Sequence, residues 1–379
     1  MGVASASFSP AVRSVPESSE QSLWLRSRRW DLMFISLSVI LVPLPYLFYL
    51  LGVHFGLHED VSRNVVNGFV AVAVGGPHMM STFLRTGLDG DFRKRYPMLL
   101  RSSIIIPIVV VSLAFLNLNL LLTIFFFWAA MHVLHQVTYI TELYRHKETH
   151  FVRKGSAVSL YARLVDYGVI FTCLFPFAAL KIAQGQFVVG QNDLTSVIPE
   201  FFQATWFFVL MSGIFVIATV LFLIKSYNEY RQGILNWPKT IFIILTVFVA
   251  FIIPALPNLD TAFQGLNTWH SFQYLAITFY IIRIRQMYGD LRNSAPLVER
   301  FGKKGSLGLF LLSAGMLVGS LIVFVIVYTV APIIRPTIDA NTHFDIAYYT
   351  AILSFLWIHY YHDHFLFTNF EALDKAYSG

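Results

Sequence analysis

Imidazole is the group most able to do chemistry in this chain. Seven histidines fall inside four apolar stretches. These read Gly75-Gly76-Pro77-His78-Met79-Met80, Trp128-Ala129-Ala130-Met131-His132-Val133-Leu134-His135-Gln136, Thr268-Trp269-His270-Ser271-Phe272-Gln273-Tyr274 and Trp357-Ile358-His359-Tyr360-Tyr361-His362-Asp363-His364. Imidazole is costly in hydrocarbon unless it meets a partner, a cavity or a metal. Neutral imidazole suits iron, zinc, copper and nickel, and the scarcity of carboxylates nearby argues against magnesium and calcium. Cys173 is the single cysteine, so a thiolate cluster and an intrachain disulfide are both excluded. The chemistry expected is a metal centre held by ring nitrogens.

Spacing refines the candidates. His132 and His135 are three residues apart and share a helical face, as do His359 and His362. The candidate metal ligands are His78, His132, His135, His270, His359 and His362. Gln136, Gln273, Tyr274, Glu142 and Asp363 are the expected partners that orient the rings. Each histidine has a plainer reading. His78 after Gly-Gly-Pro can be a hydrogen-bonded residue at a kink, His132 with His135 can be packing, and His270 can be a histidine satisfied beside an aromatic. His364 reads as interfacial, and His54, His58, His146, His150 and His343 as solvated. Gly75-Gly76 reads as close helix packing. The runs Phe125-Phe126-Phe127 and Phe201-Phe202 read as lipid-facing.

The elements that carry these residues follow from hydropathy. Mean hydropathy is +0.63 and 13% of residues are charged, about half the share in soluble domains. The fold class expected is all-α, a polytopic transmembrane helical bundle. A crossing helix needs about 20 apolar residues, and ten spans meet that need: 31–53, 65–85, 102–118, 121–144, 161–183, 200–225, 238–254, 262–286, 307–332 and 344–367. Pro43 and Pro45 predict a kink in the first. Asn117 and Asn119 predict a tight reversal between the third and fourth, and Pro254 and Pro257 end the seventh. Residues 1–25 are Ser-rich and read as a disordered tail, 26–368 as a single transmembrane domain, and 369–379 as a short tail.

Charge sets the orientation. Arg26, Arg28 and Arg29 precede the first span, and basic clusters follow the second, fourth, sixth and eighth, among them Arg85, Arg145, Lys225, Lys239 and Arg283. The alternate loops hold little beyond Arg63, Lys181 and Arg335. The positive-inside rule then places both termini in the cytoplasm. His78 lies about 10 Å before Arg85, and His270 about 20 Å before Arg283, at 1.5 Å per residue. All four stretches therefore bring imidazole into one layer, in the cytoplasmic half of the membrane. The net charge of +6 is spent on this topology and asks for no nucleic acid.

Three motifs in order, Gly76-Pro77-His78, His132 or His135 with Gln136, and Trp269-His270-Ser271, resemble the histidine motifs of the bacterial Brp/Blh-type membrane β-carotene-cleaving dioxygenases. The resemblance covers about a tenth of the chain. It implies a helical membrane fold and a non-haem iron held by His78, one of His132 and His135, and His270, with dioxygen cleaving a polyene double bond. The sequence departs from that pattern in two places. Met79-Met80-Ser81-Thr82 follows the first histidine where the family has small residues and an aspartate. Tyr274 occupies the place of a second histidine one turn after His270. His359 or His362 is then the candidate replacement ligand.

The function expected is that of a membrane-embedded metal oxygenase or related oxidoreductase, with non-haem iron or another His-ligated transition metal and a hydrophobic lipid or isoprenoid substrate, in a bacterial cytoplasmic membrane. Two alternatives stay open: a proton-coupled transporter using intramembrane His and Glu, and a haem-binding membrane subunit with paired axial histidines.

Overall fold

Apolar runs punctuated by proline, glycine and asparagine become helices that break at those residues. The computed structural model describes residues 23–151, 158–189 and 192–378. Among the described residues ten long helical segments, joined by shorter ones such as Gly90–Arg95 and Pro296–Gly302, follow one another: α1 Arg28–His54, α2 over 59–85, α3 Pro97–Leu116, α4 Leu118–Phe151, α5 Leu160–Ala183, α6 Thr205–Arg231, α7 Trp237–Ala255, α8 Leu259–Met287, α9 Gly305–Ile334 and α10 Ala340–Leu366. A short terminal helix, α11, spans Glu371–Ser378. The described strands are one two-residue hairpin, Val188–Val189 with Asn192–Asp193. Seven helices, α1, α3, α4, α5, α6, α7 and α9, are long and apolar enough to cross a membrane. The other three, α2, α8 and α10, are more polar, and they carry His78, His270 and His359.

Each break has a local cause. The expected kink in α1 is a π turn at Leu32–Ser36 followed by a 3-10 turn at Leu37–Leu41, just ahead of Pro43. Proline removes a helix donor and crowds the preceding turn. The Ile35 carbonyl takes Ser38 Oγ (2.9 Å) and Gln273 Nε2 (2.7 Å). In α2 the turn before Gly76-Pro77 widens to a π turn, Ala71–Gly75, which rotates His78 relative to the residues above it. At Asn117 the chain reverses as expected, with Asn117 Oδ1 accepting from the Leu120 N–H at 3.0 Å.

Helix α8 is central and meets α1, α2, α4, α7 and α9. Gly265 permits its close approach to α1: a methyl there would lie 2.0 Å from the Val42 carbonyl oxygen. Gly76 does the same for α2 against α9, where a methyl would lie 2.6 Å from Leu317. The outer helices face lipid. On α6, Val209, Ile217 and Leu223 are exposed, and on α9, Leu321, Val325 and Ile326.

Several expectations are corrected. Residues 1–22 of the expected tail lie outside the described residues. Leu25 is buried, takes its N–H to Asp31 Oδ2 (2.7 Å), and gives its carbonyl to Lys147 (3.2 Å), so ordered packing begins before residue 26. The segment after 369 is the docked helix α11, with Leu373 in the core and Lys375 on Asp290 at 2.6 Å. Phe127 is exposed, whereas Phe126 turns inward. His343 is buried, its Nε2 2.9 Å from the Arg335 carbonyl. Arg145, Lys225 and Lys239, read as loop charges, are buried around Asp166 at 2.6, 2.8 and 3.4 Å.

Candidate metal centre

Four helices each deliver one histidine to a single point. His78 comes from α2, His132 from α4, His270 from α8 and His359 from α10, and all four are buried. One ring nitrogen from each lies within 4.8 Å of the other three. The rings form a closed circuit. His78 to His270 is 4.7 Å between centroids, His270 to His132 5.0 Å, His132 to His359 4.8 Å, and His359 to His78 4.4 Å. Successive rings stand edge to face, at 67–88°. Nε2 of His78, His132 and His359 and both nitrogens of His270 have no hydrogen-bond partner. A buried polar atom without a partner costs roughly 1–3 kcal/mol, and several facing one another ask for a shared guest.

That guest fits a metal ion. Nitrogen ligands at about 2.1 Å place one another about 3.4 Å apart in a tetrahedron and about 4.2 Å apart when opposed. From 4.8 Å the nitrogens would close by about 0.6 Å for the opposed arrangement and about 1.4 Å for the tetrahedral one.

The far sides of two rings are held, and one proton arrangement keeps both lone pairs inward. Tyr274 donates to Asp363 Oδ1 at 2.7 Å, and Thr82 donates to the same oxygen at 3.1 Å. With its proton so used, Thr82 Oγ1 is the acceptor for His359 Nδ1 at 2.5 Å. His359 then keeps the lone pair on Nε2, facing inward. In the same way Ser271 donates to Asn267 Oδ1 (3.3 Å) and accepts from His78 Nδ1 (2.9 Å), which leaves His78 Nε2 free. Backing of this kind is what metal-bound imidazoles require. Asp363 Oδ2 has no hydrogen-bond partner and lies 3.4 Å from His359 Nδ1 and 3.9 Å from His132 Nε2, which sets a carboxyl group beside the ring circuit.

Not every expected residue joins. His135 is half-buried, against His364 and Phe367. His362 is buried with both nitrogens taken, by Thr86 (3.1 Å) and Ser103 (2.8 Å). Residues three apart on a helix differ by about 60° in direction and about 4.5 Å along the axis, and here only one histidine of each such pair reaches the shared point. Gln136 grips the backbone instead, donating to the His270 carbonyl at 3.0 Å. Gln273 serves the broken turn of α1. Glu142 is remote from the rings and pairs with Arg145, Arg163 and Tyr167. Tyr274 and Asp363 do back the site. The sequence reading missed Thr82 and Ser271 as ring partners, and Tyr360, whose ring stacks on His132 at 4.0 Å. Thr82 had a signal, since it lies one turn after His78.

An apolar crevice of ≈ 530 Å³ runs along α8 between α1 and α9, lined by Trp30, Phe34, Phe272, Phe279 and Phe310 with Arg26 at its rim. It opens on the face of α8 turned away from His270. Comparison of the chain with protein-family models, with curated proteins and with solved structures finds no match.

Proposed function

We propose that this chain is a membrane-embedded, histidine-ligated non-haem metal oxygenase or related oxidoreductase, that the metal is iron, and that the substrate is a lipid or isoprenoid. One observation carries the reading: four buried, unpartnered imidazole nitrogens from four helices converge within 4.8 Å. His78, His132, His270 and His359 would hold the ion, and iron bound there would supply dioxygen-dependent oxidation. The protein's own part is to orient the rings. Thr82 and Ser271 hold two rings with a lone pair inward, and Asp363 offsets positive charge. The spacing favours a bare ion over haem, because rings 4.4–5.0 Å apart leave no room for a macrocycle among them. His359 completes the set that the Brp/Blh-type resemblance left short at Tyr274.

The test is elemental analysis of the detergent-purified chain, with an absorption spectrum of the same sample. The expected result is about one iron per chain and no Soret band. Absence of any bound metal after anaerobic reconstitution with Fe(II) would overturn the reading and make proton-coupled transport the leading one.

A further inference from the structure

One face of α8 carries a polar seam. Asp260, Gln264, Asn267, Ser271 and Tyr274 follow one another at steps of four, three, four and three residues, the spacing that keeps side chains on one side of a helix. The seam covers about 16 Å from Asp260 to Ser271 at 1.5 Å per residue. Polar groups at this depth are expensive unless they face a partner or water. The partners found are one another and polar groups of the facing helices, Arg63 on Asp260 at 3.4 Å among them. Asn67 donates to Asp260 (3.3 Å), Asn267 to Gln264 (3.1 Å) and Ser271 to Asn267 (3.3 Å), and Ser271 backs His78.

Two cavities follow this seam. The outer one, ≈ 90 Å³, begins where α2, α8 and α10 begin, beside Arg63, Asn192 and Asp345. The inner one, also ≈ 90 Å³, continues past Gly75 and Asn267 to Met79 and Tyr360. Asn67, Asp260, Tyr348 and Tyr349 line both and form the partition. The inner end abuts the centre, since Tyr360 stacks on His132 and Met79 adjoins His78. The same three helices thus line the cavities and supply three of the four histidines. Each chamber has room for on the order of three to six waters and none for a lipid chain. Asn67 Oδ1 is buried between them without a protein partner, a place that water would satisfy.

We propose that this seam is a water-filled passage by which water-sized polar solutes reach the four-histidine centre from the end of the bundle where α2 begins. The destination rests on the metal-site reading; the passage itself does not. Lipophilic substrate must then arrive by another path, from the bilayer side, and small polar reactants and protons travel apart from it.

Radiolytic hydroxyl-radical footprinting of the full chain in lipid nanodiscs tests the passage, because radicals form from the waters themselves. Met79 and Met80 are each 1% exposed, yet Met79 alone of the two lines the cavity. Met79 sulfoxide should form about tenfold faster than Met80 sulfoxide, with or without prior chelation, if water stands beside it. Equal rates overturn the proposal. Sidedness is read with silver ion applied to sealed vesicles, using Ala71→Cys and Gln264→Cys against the core control Ala262→Cys. The native Cys173 is fully buried and gives a low background. Both lining thiols should react from the side where α2 begins. Reaction from the opposite side alone, or no faster than the control, overturns the route. Labelling of Met79 in a chain that binds no metal would sink the metal reading and leave the passage standing.

Discussion

At the scale of single residues, what separates His359 from His362 is what holds their nitrogens. His362 has both nitrogens occupied by hydroxyls, whereas His359, one turn earlier on α10, has Nδ1 on Thr82 and Nε2 free. The pair His132 and His135 divides in the same way by direction. His132→Ala and His359→Ala should each abolish stoichiometric metal binding, while His135→Ala and His362→Ala retain it, as read by metal content of the purified chain. Loss of metal from His362→Ala alone, with His359→Ala unaffected, would reverse the assignment. Thr82→Val removes the hydroxyl and keeps the shape. It should weaken metal affinity by about ten- to a hundredfold in competition with a coloured chelator, and unchanged affinity would mean that Thr82 does not hold the ring. The four converging histidines were legible in the sequence because imidazole is conspicuous among apolar residues. Their separation from His135 and His362 was not, because residues three apart share a face and only the packing shows which of them meets the other helices. Thr82 and Ser271 were hidden by their ordinariness, since hydroxyls are common in helices and only the fold shows which imidazole each one meets.

At the scale of helices, the boundaries were legible where backbone chemistry dictates them, at Pro43, Asn117 and Pro254. What was not legible is the direction a charged residue takes at a helix end. Arg145, Lys225 and Lys239 sit at positions where the positive-inside rule places solvated cations, yet they fold back onto Asp166, which is fully buried. The Asp166 carboxylate ties α5 to α4, α6 and α7. Removing one partner of a buried ion pair leaves charge uncompensated and costs about 3–5 kcal/mol. Asp166→Asn should therefore lower stability by that order in reversible unfolding by denaturing detergent, and an effect below about 1 kcal/mol, the size of an exposed pair, would show that water reaches the cluster. Gly265→Ala tests the other kind of junction. Its methyl meets the Val42 carbonyl at 2.0 Å, so α1 and α8 must separate, at a cost of about 1–3 kcal/mol. Because His270 lies further along the same helix, metal binding should weaken with stability in this variant, whereas Asp166→Asn, remote from the rings, should lose stability and keep its metal.

For the molecule as a whole, the question is how many helices cross the bilayer. Apolarity and length alone select seven, and an odd number puts the termini on opposite sides. Helices α2, α8 and α10 fall short because they bear the polar seam and three of the histidines, but a helix enclosed by others need not be apolar all round. They are also long enough: α8 has 29 residues and α10 has 27, about 40 Å each at 1.5 Å per residue, against a hydrocarbon core of about 30 Å. Were they outside the bilayer, α3, α4 and α9 would have to leave it too, since α10 packs on α3 and α9 and shares the centre with α4. From that packing we propose ten crossings, with both termini on the cytoplasmic side by the distribution of basic residues. Reporter fusions decide the matter. A fluorescent protein that folds only in the cytoplasm should be bright at either terminus, and a phosphatase that needs an oxidising compartment should be active when inserted at the Asn192–Asp193 hairpin between α5 and α6. Termini on opposite sides would reduce the crossings to an odd number, expel at least one histidine-bearing helix from the bilayer, and require the four-histidine centre to form at its surface.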